Sequence, residues 1–316
     1  MRTRRLLELL AYSSLFATTG CEHAEELEPF ATRAEYGDQI DACLADETSC
    51  NPLCSHFVDP DHEVDFASFE RCEIIEEHED RVKLAIEYTY IVNCGRRPDG
   101  YRDADECTPT AAGWLARVAT LEAASVVAFE RLVDALTRLH APRALIARAR
   151  RAVADEIRHA RLVERLVRRL DPSVRVAAPE LAEVAPPTLA QLAHENAVEG
   201  QVGETFGALV ATCQARAARD PIIRRVFGGI AHDEAQHAVL AYQLQPWLES
   251  QLAPTERNEI AQARHDATSR ILAGRVGGEL APRDRAVLGL PDPRRLGAAA
   301  SKLFARIPNG RSRARA

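Results

Sequence analysis

The sequence predicts a mainly α-helical protein, an up-down four-helix bundle with one long crossover, preceded by a small cysteine-rich domain. The first observation is a series of four segments, each about 28 residues long, with apolar residues at helical spacing: 111–139, 143–170, 188–217 and 220–249. The second is the length of the links. The first and third links have only a few residues, whereas the middle link, 171–187, is long enough to run the length of a helix.

Local start signals support these helix boundaries. Pro142 is suited to the first position of the second helix. Thr188 and Gln191 form a capping-box pattern at the start of the third, and Asp220 followed by Pro221 is an N-cap with proline at the next position. We therefore expect the bundle to occupy residues 111–250. Residues 251–316 are expected to form a further helix, at about 255–272, and a basic tail.

Residues 1–20 are typical of an export signal. Three arginines precede an apolar stretch, and small residues lead to Gly20 and Cys21. This ending resembles a bacterial lipoprotein box, although Thr18 stands where that pattern prefers leucine. It predicts that Cys21 is lipidated and anchors an exported protein to the membrane, in the periplasm or on the cell envelope. The alternatives are plain secretory cleavage and a short N-terminal helix of a cytosolic protein. No apolar run reaches the roughly 18–20 residues of a spanning helix.

Residues 21–110 form the predicted cysteine-rich domain. From residue 22 onward it has 24 acidic residues, seven basic residues and six cysteines. An even number of cysteines in an exported segment predicts a disulfide framework without fixing its pairing. A zinc site with His56 is the alternative, but no two of these cysteines have CxxC spacing. Residues 81–93 are rich in β-branched and aromatic side chains, which predicts a strand. The six cysteines are Cys43, Cys50, Cys54, Cys72, Cys94 and Cys107.

Each bundle helix carries an acidic residue at the centre of an otherwise apolar stripe. These residues are Glu122, Glu156, Glu199 and Glu234. A single inward glutamate is more often a bent or solvated outlier than a ligand. Four carboxylates that point into one core would repel each other, and an unpaired buried carboxylate is costly. Bound divalent cations are the simplest solution, so the four together predict a metal site.

Two of these glutamates belong to Glu-x-x-His motifs, Glu156–His159 and Glu234–His237. Residues three apart share a helix face, so one carboxylate and one imidazole can reach the same small volume. Two such pairs and one glutamate from each other helix make the six-ligand set of a dinuclear carboxylate centre. Asp155 and Asp233 precede the two motif glutamates. Each is a candidate acceptor for an imidazole N–H, which would fix the orientation of the ring.

The third helix offers two candidate ligands. Glu122 precedes Glu156 by 34 residues and Glu199 precedes Glu234 by 35, so the repeat of the two halves favours Glu199. Glu204 is the alternative. On a regular helix it points about 140° away from Glu199. The glycines of this stretch could loosen the helix enough for Glu204 to join the site.

The order Glu, ExxH, Glu, ExxH over residues 111–249 resembles the ferritin-like di-iron carboxylate superfamily. The stretch Asp155–His159 is also similar to the D-E-x-R-H element of its oxygen-activating members, whereas the second copy has Gln236 in place of the arginine. The resemblance implies a ferritin-like bundle that binds two iron ions, or manganese, or a mixed pair. The implied metal ligands are Glu122, Glu156, His159, Glu199, Glu234 and His237, with Glu204 as a further candidate.

From this resemblance we expect an oxidoreductase of the cell envelope that acts on O2 or peroxide, with an unknown electron donor. Ferroxidation, peroxide reduction and oxygenation of an organic substrate are all open. The alternative is a non-catalytic metal-binding or scaffold lipoprotein. A storage shell is disfavoured by the lipid anchor and the N-terminal domain, and a homodimer is left open. Nucleic acid is not expected, because the N-terminal region is acidic and the bundle's inward carboxylates are assigned to metal.

Overall fold

The computed structural model describes residues 26–45, 50–58, 67–90, 96–102, 109–273 and 280–307, and these residues are mainly helical. The chain divides into two compact units. Among the described residues, one unit contains those up to 90, and the other contains 96–102, 109–272 and 280–307. Residues 96–102, which the sequence assigned to the cysteine-rich domain, thus pack with the helices.

The N-terminal unit is a small antiparallel sheet with two helices. Strand β4 is central, because β3 pairs along one edge while β1 and β2 pair in succession along the other. The predicted strand at 81–93 is confirmed as far as Tyr90, and residues 91–93 lie outside the described part. In chain order the elements are β1 (Glu26–Leu27), β2 (Phe30–Thr32), α1 (Arg33–Ala45), α2 (Asn51–Val58), β3 (Ala67–Glu77) and β4 (Arg81–Tyr90).

Two disulfides, Cys43–Cys50 and Cys54–Cys72, link elements of this unit. They confirm a disulfide framework and remove these four cysteines from the alternative zinc site. Disulfides persist in oxidising compartments, which agrees with an exported protein. The other cysteines of the N-terminal prediction, Cys21, Cys94 and Cys107, lie outside the described residues, as does the side chain of His56.

The helical unit contains all five helices that the sequence predicted. Two further helices, α9 and α10, occupy part of the segment expected to be a tail. In chain order the elements are β5 (Tyr101–Arg102), α3 (Ala111–Arg138), α4 (Arg143–Leu170), β6 (Glu180–Leu181), α5 (Leu189–Glu195), a π-helical segment (Asn196–Gly203), α6 (Glu204–Ala217), α7 (Pro221–Glu249), α8 (Pro254–Ala273), α9 (Pro282–Leu288) and α10 (Pro293–Phe304).

The capping signals act as predicted at two of the three helix starts. Thr188 Oγ1 accepts a hydrogen bond from the Gln191 N–H at 3.2 Å, and the Gln191 side chain accepts one from the Thr188 N–H at 2.9 Å. Asp220 accepts from two N–H groups in the first turn of α7. Pro142 is instead the residue before α4 and makes no side-chain cap. The predicted bounds 143–170 are confirmed, and Pro142 lies at the N-cap rather than at the first helical position.

Packing places the middle of the long helices around a common interior. α3 packs on α4, α6 on α7, and α4 on α7. One apolar cluster joins Phe129 near the end of α3, Leu145 near the start of α4, Leu192 of α5 and Leu244 near the end of α7. The helices of each consecutive pair are therefore antiparallel. The long link between the pairs carries β6, which is antiparallel to β5 through Tyr101 opposite Leu181.

In the described part of the chain, α3 alone is long and apolar enough to cross a membrane. The apolar residues of α3 are broken by a few polar ones, so its sequence contains no uninterrupted apolar run of spanning length. Of its most apolar window, 72% is buried inside the protein. That extent of burial is typical of a core helix.

We expect Gly289→Ala to lower the free energy of unfolding by more than about 2 kcal/mol. Gly289 follows α9 with φ +73°, and a Cβ there would lie 2.2 Å from the backbone nitrogen of Ala218. The matched control is Gly228→Ala in α7, where a Cβ meets nothing within 4 Å. That change should raise stability by up to about 1 kcal/mol. Urea denaturation measures both, and similar effects of the two changes would contradict this account of Gly289.

Candidate metal centre

Six ionisable side chains converge inside the helical unit. Helices α3 and α6 supply one glutamate each, and α4 and α7 each supply a glutamate and a histidine. Ionised carboxylates and imidazoles are rarely buried unless they are paired or bound to metal. All six side chains are almost fully buried: Glu122 (6% exposed), Glu156 (1%), His159 (0%), Glu204 (1%), Glu234 (4%) and His237 (3%).

These side chains form two groups of four that share two members. Glu156 and Glu234 belong to both groups. Glu122 and His159 complete the first, and Glu204 and His237 complete the second. Within each group the ligand atoms all lie within 4.8 Å of one another. Because a carboxylate has two oxygens, a shared glutamate can bind one cation with each. The buried groups could therefore hold metal ions.

In the first group, His159 Nδ1 is surrounded by carboxylate oxygens. It lies 3.3 Å from Glu122 Oε2, 3.3 Å from Glu234 Oε1 and 3.7 Å from Glu156 Oε2. Two donors that each lie about 2.1 Å from one ion, at right angles, are about 3.0 Å apart. The observed separations are close to that value, so the group fits the ligands of a single cation.

In the second group, His237 Nδ1 lies 3.0 Å from Glu156 Oε1, 3.7 Å from Glu204 Oε2 and 3.9 Å from Glu234 Oε2. Among the described residues, both oxygens of Glu204 and both ring nitrogens of His237 lack a hydrogen-bond partner. Buried polar atoms without partners are costly and need an explanation. A cation at this point would satisfy the Glu204 oxygens and Nδ1 of His237, so the residues present fit a bound metal.

Each aspartate beside a motif glutamate faces the histidine of the other motif. His159 Nε2 lies 3.2 Å from Asp233 Oδ2, and His237 Nε2 lies 3.6 Å from Asp155 Oδ2. Arg158 Nη2 donates to both aspartates, at 2.8 Å to Asp155 and 2.6 Å to Asp233. Asp233 thus lies within hydrogen-bond distance of the outer edge of His159, and Asp155 faces the outer edge of His237 at a longer distance. This arrangement orients Nδ1 of each ring toward the carboxylates.

Glu199, which the repeat spacing favoured, lies outside the cluster. Its carboxylate accepts hydrogen bonds from the backbone N–H of Arg97 at 3.2 Å and from Arg97 Nη2 at 3.1 Å. Glu204 occupies the position in the cluster instead. The prediction that Glu199 would point into the cluster was therefore wrong. The alternative, in which a loosened helix brings Glu204 to the cluster, agrees with the structure.

The π-helical segment Asn196–Gly203 explains the exchange. The Glu204 N–H bonds to the carbonyl of Glu199, five residues earlier. A π-turn holds one residue more than an α-turn, so the residues after it rotate backward by about 100°. The expected separation of about 140° between the two glutamates falls to about 40°. That rotation turns Glu204 into the interior.

Sequence reasoning missed Arg96 and Arg97. Arg96 is 1% exposed and donates to Glu195 Oε1 from Nη2 at 2.7 Å and from Nε at 3.1 Å. Its guanidinium also lies 5.4 Å from the centre of the Phe129 ring. The one available signal was a pair of arginines inside a strongly acidic stretch of sequence.

The electrostatics of the cluster favour a cation. Burial and the nearby Glu156 carboxylate raise the pKa of Glu122 well above its ordinary value. Burial and the charge of Glu234 do the same to the pKa of Glu204. Burial also acts to raise the pKa of Glu156, but the two imidazoles outweigh it and lower that pKa. Carboxyl groups with raised pKa values would gain most from a positive charge between them.

A small cavity of about 20 Å³ adjoins the cluster at Glu122 and Glu234. Its walls come from α3, α6 and α7 and are mostly apolar. A space of this size accommodates one molecule about as large as water. The apolar side chains around it include Trp114, Val118, Val210, Ala211, Phe227 and Ile230.

The chain was compared with protein-family models, with curated proteins and with solved structures, and none of them matches. What the residues establish is a helical protein with buried glutamate and histidine groups that could hold a metal ion. This description is compatible with a ferritin-like site.

We expect Glu204→Gln to weaken binding of the second of two Co(II) ions by about tenfold or more. It removes a charged ligand atom from the second group only. The matched control is Glu199→Gln, five residues earlier, which keeps a side-chain carbonyl for Arg97 and should have a smaller effect. Calorimetric titration measures both affinities. A larger loss in Glu199→Gln would show that Glu199 is the ligand.

Proposed function

We propose that residues 111–249 form a ferritin-like four-helix bundle around a dinuclear iron centre, or a manganese or mixed one. We propose further that the protein is an oxidoreductase of the cell envelope that acts on O2 or peroxide. The observation that carries the proposal is the pair of buried ligand groups that share Glu156 and Glu234. Two antiparallel helix pairs joined by one long crossover support the bundle.

The donor set supports iron or manganese. Each group offers three carboxylates and one imidazole. Oxygen ligands suit manganese, imidazole suits iron, and the set contains no thiolate of the kind typical of structural zinc sites. A bound pair of iron ions would supply the redox chemistry toward O2 or peroxide.

The protein's own side chains would have distinct tasks. Glu156 and Glu234 would bind both ions and hold them close together. Glu122 and His159 would bind one ion, and Glu204 and His237 the other. Together the four carboxylates would neutralise the ions within an apolar interior, so that water is largely excluded from the ligand atoms.

Outside the ligands, Asp155, Asp233 and Arg158 would fix the imidazoles. Each aspartate would hold the proton on Nε2 of the facing histidine, which leaves Nδ1 as the lone pair for a metal ion. Burial acts to raise the pKa of Asp233, but His159 and Arg158 outweigh it and keep that pKa low. The aspartate therefore stays ionised as the acceptor.

The cavity supports a small oxidant as the reactant. Its volume of about 20 Å³ holds one molecule about as large as water, so a reactant that enters it must be very small. It reaches Glu122 and Glu234, so a molecule inside it would lie beside the ligands. A large organic substrate would not fit there without movement of α3, α6 or α7.

For location, we propose an exported protein anchored through a lipid on Cys21. The disulfides Cys43–Cys50 and Cys54–Cys72 support an oxidising compartment. The anchor itself rests on the N-terminal sequence. The electron donor and a homodimeric state stay open within this proposal.

We expect the full chain to bind two iron ions after anaerobic loading with Fe(II), and then to consume O2 or peroxide. Glu156→Ala should lose both ions, because Glu156 belongs to both groups, whereas His237→Ala should retain more of the ion in the first group. Metal analysis and an oxygen electrode measure these results. Absence of bound iron would contradict the metal centre. Bound iron without O2 or peroxide consumption would instead support a non-catalytic metal-binding or scaffold protein.

We expect Ala211→Val to leave two iron ions bound but to slow the reaction of the reduced protein with O2, because the added methyl groups occupy the cavity. Overpacking should cost no more than about 3 kcal/mol of stability. The control is Ala154→Val, the same change on the exposed side of α4. Stopped-flow absorbance compares the rates. Equal rates in the two variants would show that O2 does not use this cavity.

A further inference from the structure

We infer that Arg96 and Arg97 are positioning residues that select Glu204, rather than Glu199, as the ligand from the third long helical segment. The inference rests on the proposed metal centre, because Glu204 is a ligand only if a metal ion binds in the cluster. The contacts that carry it are within the helical unit, between residues 96–97 and the π-helical segment.

The two arginines bind glutamates just before the π-helical segment and in its middle. Arg96 binds the carboxylate of Glu195, the residue just before the segment. Arg97 binds the carboxylate of Glu199 with both its backbone N–H and its guanidinium. The backbone of Arg96 is itself fixed, because Ser125 of α3 donates to its carbonyl at 2.8 Å. Residues 96 and 97 therefore tie this segment to α3.

Loss of the ion pair between Arg96 and Glu195 would destabilise the protein. Its side chain is 1% exposed, and a buried charge that loses its partner strongly destabilises a protein. Its guanidinium lies over Phe129, whose ring is 5.0 Å from that of His237. The arginine pair is thus joined by direct packing to the second ligand group.

Gly200 and Asn196 complete the fixation of the segment. A Cβ at Gly200 would lie 3.1 Å from Arg96 Nη1 and 2.9 Å from the Cβ of Ala241, so glycine permits this close approach. Asn196 Nδ2 donates to the Ala241 carbonyl at 3.0 Å and to Gln245 Oε1 at 2.7 Å. The π-helical segment is therefore held to α7 as well as to residues 96 and 97.

The contacts of Arg97 affect which of the two glutamates, Glu199 or Glu204, is available to a metal ion. On a regular helix Glu199 would point inward, as its place in the apolar stripe indicates. In the structure Arg97 occupies both oxygens of Glu199 and neutralises its charge. Among the residues that the structure describes, Glu204 has no such partner, and it lies in the second ligand group. The arginines would thus withdraw one carboxylate and stabilise the turn that presents the other.

The first test uses backbone amide hydrogen exchange of the metal-free full chain. Arg97→Gln should speed exchange over residues 196–204. The matched control is Arg131→Gln, which removes the 2.7 Å hydrogen bond from Arg131 to the Asp99 carbonyl but leaves the arginine pair intact. It should leave exchange in this segment unchanged. Equal exchange in Arg97→Gln and the unaltered chain would overturn the inference.

The second test is a ligand exchange measured by Co(II) titration and Co(II) absorption spectra. Glu204→Gln should bind the second ion weakly. Adding Arg97→Gln removes the guanidinium that neutralises Glu199, although the backbone N–H of residue 97 still donates to it, and should restore affinity for that ion by up to about tenfold. Adding Glu199→Gln as a third change should abolish the recovery, and Arg97→Lys in place of Arg97→Gln should give none.

The outcomes separate the two proposals. If the unaltered chain binds no Co(II) or Fe(II), the proposed function fails and the ligand role fails with it. If it binds two ions but Glu204→Gln and its combination with Arg97→Gln bind the second ion equally, only the inference about Arg96 and Arg97 is overturned. Recovery that depends on Glu199 supports the inference.

Discussion

The burial of four carboxylates and two imidazoles in one small volume is the constraint on which the helical unit depends. Each ionised group loses its hydration when α3, α4, α6 and α7 close around it, and unpaired charges of this kind are costly. The apolar cluster that contains Phe129 and Leu244 and the apolar walls of the cavity lie along the same helices. Apolar packing along the helices thus has to outweigh the free-energy cost of burying these ionisable groups, and a bound cation would lower that cost.

Acidic and basic groups alternate around this centre. The imidazoles of His159 and His237 lie against the glutamates, Asp155 and Asp233 lie against the imidazoles, and Arg158 lies against both aspartates near the surface. Each acidic group is therefore next to a basic one. At His159 this order also fixes the ring, because a histidine held at Nε2 can present only Nδ1 to the interior.

Most of the helical unit follows from local sequence, and so do five of the six clustered residues. Apolar spacing, the Thr188 and Asp220 caps and the shared face of residues three apart are all properties of short segments. The choice between Glu199 and Glu204 is different. It depends on Arg96 and Arg97, about 100 residues earlier in the chain. The spacing of apolar residues within one helix gives no information about contacts with such distant residues. Helices α9 and α10 were missed for another reason: Pro282, Asp292 and Pro293 are sound start signals, but the basic composition of the segment suggested a tail.

The unequal ExxH copies also have a physical explanation. The first copy has Arg158 and the second has Gln236 at the matching position. Arg158 already serves both aspartates, and Arg148 of the same helix donates to the Gln236 carbonyl at 3.2 Å. Both aspartates already accept from Arg158, so a second arginine at position 236 would find neither of them as a new partner. One guanidinium is sufficient for the two aspartates. The two ExxH motifs can therefore carry the same ligand residues although only the first has an arginine beside its histidine.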